Sequence, residues 1–468
     1  MTLPVELYEQ ARDLIAERLG LDFPERRRAD LERGLARVLR SSPATTFHEI
    51  LGWLGALPAD SHEWRRVAAD LTVGETYFFR DGGCFDALEQ KVLSALVQSR
   101  RADGTHRLRL WSAACATGEE PYSIAMVLDR LLPDRADWAV TILATDISAK
   151  ALEAAQRGRY REWALRETPA AIRHRYFRRL PDESFELDPG IRAGVTFAPL
   201  NLAGNAYPSL VTNTVAMDLI LCRNVLMYFT PEAQRAAAAR LQRALVPGGW
   251  LVVSPAEASS ELFSPLEAVN FPGAIFYRKM PAARPDVVLP DLAPSSPPVA
   301  AAPGRRNPIT PGAPEKTPPV PLDPAAGLQR ARALADQGDL ERARELCETI
   351  LGRDRLNADA HLLLAAIHQE RGELVAALAA LRHAIYLAPD SALAHFLMGC
   401  LLMRHGERRR GRRCMETLVG LLTPLPRDEV LAAGDELTAG RLLETAQAYL
   451  ESRRAVPGAV PDGRDAHG

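Results

Sequence analysis

The sequence predicts an α/β domain that follows a short helical unit and precedes an all-helical repeat array. Three observations support this architecture: apolar residues at helical spacing before residue 72, short apolar runs alternating with helical stretches between 105 and 257, and a 34-residue self-similarity after residue 324. A chain of 468 residues is also too long for one ordinary domain. We therefore divide it into 1–75, 76–280 and 325–455, with a linker at 281–324 and a disordered tail at 456–468.

Composition narrows the class of function. Apolar residues make up 47% of the chain and charged residues 25%, which is typical of a globular protein. The formal net charge of -2 provides no attraction to nucleic acid or to an anionic membrane, so neither partner is expected. The N-terminal MTLPVELYEQARD is acidic where a signal peptide would be basic, which favours the cytoplasm. Six cysteines without a C-x-x-C pair indicate neither a metal site nor a disulfide framework.

The first 72 residues contain at least two amphipathic helices. One has apolar residues at helical spacing and ends at Gly20; its apolar residues are Leu7, Ala11, Leu14, Ile15 and Leu19. The second has apolar residues on one side and arginines around the rest; these arginines are Arg26, Arg27, Arg28, Arg33, Arg37 and Arg40. Such a charge run is either a solvated face or a surface for an acidic partner, and the sequence favours neither.

Between residues 105 and 257 five apolar runs alternate with helical stretches. The runs are RLRLWSAA, WAVTILATD, GVTFAPLNL, MDLILCRN and GWLVVSPAE. This alternation predicts a parallel sheet with helices on both faces. Each run ends in small or polar residues, and an open parallel sheet binds its ligands beyond the carboxyl ends of its strands. We therefore expect the chemistry at that edge.

The C-terminal part of the chain is a linker followed by repeats. Fourteen prolines lie between residues 281 and 324, with little periodicity, as in a semi-rigid linker. Beyond it Gly338, Gly372 and Gly406 follow one another at intervals of 34 residues, which is the tetratricopeptide period. Residues 437–453 predict the terminal helix that solvates such a stack. An array of this kind indicates protein contacts.

Polar residues collect at the predicted strand ends. The segment LWSAACATGEEPYSIAM at 110–126 runs from a strand through small residues into a helix, where a ligand could approach the backbone or where acidic residues simply stabilise the helix dipole. Asp146 ends the next run and is either an acceptor for a ribose or the N-cap of the following helix. Asn201, Arg223 and Asn224 end two further runs, which predicts a binding crevice.

Five stretches together resemble the CheR chemoreceptor glutamate methyltransferases. They are LTVGETYFFRD at 71–81, LWSAACATGEEPYSIAM at 110–126, LCRNVLMYF at 221–229, LVPGGWLVVSPAE at 245–257 and AIFYRK at 274–279. Their order and spacing fit that family over roughly residues 1–280. The resemblance implies an all-helical N-terminal subdomain, a doubly wound, Rossmann-like domain that binds S-adenosyl-L-methionine, and a small β insertion within 176–198.

The resemblance also implies site residues. By position in the motifs, the cofactor site comprises Thr76, Arg80, Glu120, Asp146, Asn201, Leu202, Arg223 and Asn224. Arg80 and Tyr228 are implied to lie beside the transferable methyl group, as the catalytic pair. One position departs from the family: Gly74 stands where members usually have asparagine, so one amide contact to the cofactor is missing. No metal is implied.

The function implied by the resemblance is methylation of glutamate carboxylates on a methyl-accepting chemoreceptor, with S-adenosyl-L-homocysteine as the second product, during chemosensory adaptation. The expected partners are the cytoplasmic domain of a chemoreceptor and an unidentified protein bound by the repeats. The pathway could control swimming or, as in Wsp-like systems, surface behaviour. Two alternatives remain: a methyltransferase for small molecules or nucleic acid, and a tetratricopeptide scaffold with a noncatalytic methyltransferase-like domain.

Overall fold

The computed structural model describes residues 3–57, 61–72, 74–209, 212–271, 274–280, 324–336, 338–404, 407–427, 429–431 and 438–451. Four helices form the N-terminal unit: α1 (Val5–Leu19), α2 (Arg28–Arg40), α3 (Phe47–Ala56) and α4 (His62–Leu71). Helix α1 ends at Gly20, which adopts φ of 70° and donates its N–H back to Ala16, as a left-handed C-cap does. Helix α2 buries Leu31 and Leu35 against the neighbouring helices.

A seven-stranded sheet lies at the centre of residues 76–280. In chain order the ten strands are β1 (Arg107–Ala113), β2 (Ala139–Asp146), β3 (Arg159–Tyr160), β4 (Phe177–Arg179), β5 (Phe185–Leu187), β6 (Val195–Pro199), β7 (Met217–Leu221), β8 (Leu245–Val252), β9 (Glu267–Phe271) and β10 (Ala274–Arg278). The large sheet has the order β6-β2-β1-β7-β8-β10-β9. Four of the five predicted apolar runs contain one of its parallel strands, and the fifth, GWLVVSPAE, overlaps the second half of β8.

Helices cover both faces of this sheet. They are α5 (Gly82–Ala87), α6 (Ser94–Ala102), α7 (Glu119–Leu131), α8 (Ala149–Arg157), α9 (Ala170–Tyr176), α10 (Pro189–Ala193) and α11 (Pro231–Ala244), and a π-helical stretch, Leu88–Leu93, joins α5 to α6. In β1 the adjacent residues Leu110 and Trp111 are both fully buried, in two different cores. A strand buried on both faces confirms the doubly wound prediction.

The edge of the large sheet differs from the prediction of an entirely parallel sheet. Strand β10 pairs antiparallel with both β8 and β9. Only residues 272 and 273 separate β9 from β10, and so short a connection joins antiparallel strands, because parallel neighbours need a crossover. The sequence pattern at 267–271 is only partly apolar, which is why this strand was not predicted.

A second, three-stranded sheet with the order β3-β5-β4 forms the small β insertion. Strands β4 and β5 fall within the predicted segment 176–198. Strand β3, at Arg159–Tyr160, pairs antiparallel with β5 and lies before that segment. The insertion therefore begins earlier than predicted, because a two-residue strand leaves no readable alternation in the sequence.

The C-terminal array consists of paired helices. They are α12 (Pro324–Asp336), α13 (Leu340–Arg353), α14 (Ala358–Glu370), α15 (Leu374–Leu387), α16 (Ala392–Arg404), α17 (Arg408–Leu422) and α18 (Ala439–Glu451). Gly338 and Gly372 adopt positive φ between the helices of two pairs, and Gly406 lies outside the described residues. Helix α18 packs on α17 as the predicted terminal helix. The predicted linker, apart from Pro324, and the predicted tail also lie outside the described residues.

The array contacts the sheet of the α/β domain directly, a contact that the sequence did not predict. The buried carboxylate of Glu370 lies 2.5 Å from a guanidinium nitrogen of Arg109 and 3.5 Å from one of Arg107, both in β1. Gly372 lies so close to Ala139 that a β-carbon added there would be 3.4 Å from the Ala139 side chain. These contacts lie where β1 and β2 begin. Among the described residues, no helix combines the length and apolarity that crossing a membrane requires.

Candidate functional site

A large cavity opens at the carboxyl edge of the parallel strands. It encloses about 1160 Å³, including the space at its mouth, and is walled by the segments that follow β1, β2, β6 and β7. The sheet order shows that the chain proceeds from β1 outward in one direction through β2 and in the other through β7. Ligands of open α/β sheets bind at such a reversal of strand order. The N-terminal helical unit covers the cavity from above, through residues that include Leu19 and Leu71.

All nine residues singled out from the sequence line this one cavity. They are Thr76, Arg80, Glu120, Asp146, Asn201, Leu202, Arg223, Asn224 and Tyr228. They come from five separate segments of the chain, so the fold brings together what the sequence disperses. Gly74 also lines the cavity, and a β-carbon added to it would have no atom within 4 Å.

The turn between β1 and α7 presents backbone to the cavity. Ala114, Ala116 and Gly118 adopt positive φ values of 65°, 46° and 93°. At Gly118 a β-carbon would lie 2.8 Å from that of Ala155, so only glycine fits the close approach of this turn to α8. Small residues at this turn leave main-chain atoms accessible to a ligand.

Asp146 braces that turn from the neighbouring strand. One carboxylate oxygen accepts the N–H of Ala116 at 2.8 Å, and the other accepts the N–H of Ser148 at 2.8 Å. The helix that follows is capped by Ser148, whose hydroxyl accepts the N–H of Ala151, so the N-cap reading of Asp146 is wrong. Burial raises the pKa of Asp146, and these backbone N–H groups oppose that rise. The carboxylate can accept further hydrogen bonds from a ligand in the cavity.

A buried ionic network joins three walls of the cavity. The guanidinium of Arg223 lies 3.3 Å from Glu120, pairs with Asp81, and donates to the backbone oxygen of Arg80 at 3.0 Å. Glu120 also accepts the hydroxyl of Ser112 at 2.7 Å. Burial raises the pKa of Glu120, while Arg223 lowers it. The Nε of Arg223 is buried and has no hydrogen-bond partner among the described residues, so this network retains a donor.

Arg80 and Asn201 both form hydrogen bonds to the backbone of neighbouring segments. Arg80 lines the cavity and donates to the backbone oxygen of Glu75 at 2.9 Å. Asn201 accepts the N–H of Ala203 at 2.9 Å and donates to the backbone oxygen of Arg18 at 3.1 Å. Asn201 therefore ties the end of α1 to the wall, and Leu202 contributes a buried part of the same wall.

Tyr228 is held by the N-terminal unit. The N–H of Asp22 donates to the backbone oxygen of Tyr228 at 2.7 Å, and the N–H of Thr230 donates to that of Gly20 at 2.8 Å. The guanidinium of Arg27 lies 5.1 Å from the centre of the Tyr228 ring and also lines the cavity. The sequence placed Arg27 in an undifferentiated arginine run, and no local signal separated it from its neighbours.

Glu257 is the second residue that the sequence did not single out. Its buried carboxylate accepts the backbone N–H groups of Asn224 at 2.7 Å, Val225 at 2.7 Å and Met227 at 3.3 Å. It also accepts the N–H and the hydroxyl of Ser254. Asn224 adopts a positive φ of 59°, which asparagine tolerates better than most residues. One carboxylate thus fixes the loop that carries Asn224 and Tyr228.

Comparison with known proteins agrees with this geometry. Residues 74–271 match the family model described as CheR methyltransferase, SAM binding domain, and residues 334–401 match a tetratricopeptide repeat model. Chemotaxis protein methyltransferase 1 of Pseudomonas aeruginosa is 37% identical over 219 residues, covering 46% of this chain and 77% of the relative. Chemotaxis protein methyltransferase 2 of Vibrio cholerae is 31% identical over 268 residues, covering 57% and 91%.

One relative matches the catalytic half and part of the array together. The probable biofilm formation methyltransferase WspC of Pseudomonas aeruginosa is 29% identical over 421 residues, which cover 86% of this chain and 96% of the relative. A match of that extent continues beyond the 280 residues of the catalytic half. The combination of the two parts is therefore similar to a known arrangement.

Proposed function

Because this chain belongs to the CheR methyltransferase family, with a tetratricopeptide array in the same chain, we propose that it methylates glutamate side chains of a methyl-accepting chemoreceptor in the cytoplasm. The observation that supports the proposal is the convergence of nine candidate residues, from five segments, on one cavity at the carboxyl edge of the sheet. Chemosensory adaptation is the process that such methylation serves.

The residues of the cavity fit S-adenosyl-L-methionine. Asp146 offers an acceptor for hydroxyl groups such as those of a ribose, and Glu120 offers negative charge to a cationic group. The unpaired Nε of Arg223 offers a donor inside the wall. Apolar residues including Leu200, Val225 and Phe229 line the rest, as an uncharged ring system requires. When bound, S-adenosyl-L-methionine supplies a methyl group on a positively charged sulfur, which a carboxylate oxygen displaces to give a methyl ester and S-adenosyl-L-homocysteine.

The chain need not supply a general base. A glutamate side chain has a pKa near ~4.3 and is already ionised at neutral pH. The enzyme acts by alignment and by removing water from the carboxylate. The N-terminal helices that cover the cavity exclude water from it. Arg80 orients the incoming carboxylate, and its bond to the Glu75 backbone limits how tightly it holds that nucleophile. Tyr228 presents its hydroxyl beside the methyl group and sets the direction of approach.

The test is methylation by the purified full chain. The protein is incubated with methyl-labelled cofactor and the purified cytoplasmic fragment of a chemoreceptor, and label released by mild base as methanol identifies a glutamate methyl ester. We expect Arg80→Ala and Tyr228→Phe to lower single-turnover rates while most of the cofactor affinity remains. Arg80→Lys should rescue only in part, because an ammonium lacks the planar fork that fixes a carboxylate.

The outcomes separate the candidate functions. Wild-type rates in both Arg80→Ala and Tyr228→Phe would refute their catalytic roles, and a loss of cofactor binding in proportion to rate would make them binding residues only. A chain that binds no cofactor in calorimetry would favour the noncatalytic scaffold, for which Gly74 is the one supporting feature in the cavity. Label that resists mild base would exclude a carboxylate as the acceptor.

A further inference from the structure

An exposed aromatic side chain lies one residue away from side chains that line the cavity, to which Arg166 connects it. Trp163, in the short 3-10 turn Glu162–Leu165, leaves 67% of its surface exposed. Exposure alone does not mark a binding site, since Tyr386 is more exposed still. What distinguishes Trp163 is its connection to residues that line the cavity.

A stack of side chains connects Trp163 to the cavity wall. The guanidinium of Arg166 lies 4.2 Å from the Trp163 ring on one side and 3.7 Å from the Tyr77 ring on the other. Tyr77 and Glu75 both line the cavity, and Glu75 lies 3.5 Å from Arg166. The backbone N–H of Phe78 donates to the oxygen of Ala164 at 2.9 Å, which ties the two segments together. The stack is therefore continuous with the wall.

Trp163 is also held in place before any partner binds. Arg166 donates to the backbone oxygen of Trp163 at 2.7 Å while it stacks on the ring. A side chain that is already ordered loses little conformational entropy on binding. Tryptophan, tyrosine and arginine are the residue types that contribute most binding energy at protein interfaces. These features describe a preorganised contact surface.

The length of a glutamate side chain determines which part of the substrate lies against this contact surface. A glutamate side chain has only two methylene groups between its backbone and its carboxylate. For that carboxylate to enter the cavity, the backbone of the substrate must lie against the rim. The residues flanking the methylated glutamate then contact the side chains that form the rim.

We propose that Trp163 and Arg166 form a docking platform for the chemoreceptor segment that flanks the methylated glutamate, with Trp163 covering an apolar side chain and Arg166 facing an acidic one. This inference rests on the proposed function. The platform raises affinity for the protein substrate and has no contact with the cofactor. It therefore acts on the Michaelis constant for the receptor fragment and leaves cofactor affinity unchanged.

The experiment compares Trp163→Ala and Trp163→Tyr in the full chain, with Tyr386→Ala as the matched control, because Tyr386 is 83% exposed on α15 of the array, outside the catalytic half. Each variant is assayed for methylation of the receptor cytoplasmic fragment over a range of fragment concentrations, and for cofactor affinity by calorimetry. We expect Trp163→Ala to raise KM for the fragment about tenfold, with kcat and cofactor affinity near wild type. Trp163→Tyr should recover part of the loss, and Tyr386→Ala should match wild type.

Each remaining outcome overturns the platform. An unchanged KM in Trp163→Ala, with wild-type enzyme active, would refute the platform alone. An equal rise of KM in Tyr386→Ala would show a nonspecific effect of surface apolarity and would also refute it. Wild-type enzyme that binds cofactor but methylates no receptor fragment would refute the proposed function and the platform together, so the two failures are distinguishable.

Discussion

Replacing Glu257 by glutamine should release the loop that carries Asn224 and Tyr228. The carboxylate of Glu257 accepts five hydrogen bonds, three from that loop and two from Ser254. The amide of glutamine keeps one accepting oxygen and turns an N–H₂ group toward donors. The substitution changes neither the length nor the volume of the side chain by much, so the loss is one of hydrogen-bond chemistry and not of packing.

The magnitude follows from the donors left without an acceptor. If the glutamine oxygen stays near Val225 and Met227, the backbone N–H groups of Asn224 and Ser254 lose their partner, while the Ser254 hydroxyl can rotate. Each buried donor left unpaired costs roughly 1–3 kcal/mol, so a rigid loop would lose about 2–6 kcal/mol of stability. If the loop moves instead, the free energy of unfolding falls less and the methylation rate falls more. We expect about 2 kcal/mol in unfolding and at least about a tenfold loss in single-turnover rate, because misplacement by an ångström is enough for such a loss.

The assay pairs denaturant unfolding with single-turnover methylation normalised to folded protein. Asp218→Asn is the matched control: Asp218 is a fully buried carboxylate that accepts the N–H of Arg109 at 2.8 Å and does not line the cavity. The control should lose stability and keep its rate per folded molecule. Wild-type rate in Glu257→Gln would refute the reasoning, since the loop would then be held by other contacts.

Four further predictions concern the cofactor, pH and the array. Asp146→Asn should weaken cofactor binding by roughly 1–3 kcal/mol in calorimetry, because the amide replaces a charged acceptor, and unchanged affinity would remove Asp146 from the site. Gly74→Asn should strengthen binding by about 0.5–1.5 kcal/mol, because its side chain has room and supplies the missing amide; weaker binding would contradict this. Burial raises the pKa of Glu119 from 4.5 to about 7, so the native state binds this proton more tightly than the unfolded state and wild-type stability should fall as pH rises across that range. Glu119→Gln should lack this pH-dependent fall in the free energy of unfolding, which is worth up to about 3 kcal/mol. Identical pH profiles of stability in the variant and in wild type would contradict the prediction. A chain ending at residue 280 should fold and bind cofactor, because without the array the guanidinium of Arg109 loses Glu370 but becomes accessible to water, which can hydrate it. An insoluble fragment would show that the array is an integral part of the fold.

Four of the candidate residues could be predicted to lie together because each ends an apolar run: Asp146, Asn201, Arg223 and Asn224. Thr76 and Arg80 follow no such run and were assigned by the resemblance alone. Parallel strands share one carboxyl edge, so residues such as Asp146 and Arg223 had to meet once the sheet was recognised. The resemblance supplied the roles, which the geometry alone does not assign. The repeats were equally readable, since a fixed period survives in the sequence wherever a structural unit is copied.

What the sequence could not give depends on contacts between distant segments. Arg27 differs from the arginines that follow it only because residues 20–22 pair with 228–230, more than two hundred residues later. Glu257 lies in a recognised stretch, yet its role depends on three donors from the distant loop at 224–227. For Asp146 the local sequence allowed either a ligand acceptor or the N-cap of α8. The structure excludes the N-cap because Ser148 occupies that position. Partners supplied by tertiary packing leave no local pattern.

The docked array and the cavity lie at opposite ends of strand β1. Glu370 is held where β1 begins, and the cavity opens where β1 ends, so the seven residues of this strand, roughly 23 Å in length, separate them. The docked array therefore leaves the mouth of the cavity clear. Under the proposed function, the repeats and the cavity can then be occupied at the same time, so that neither contact has to be released for the other.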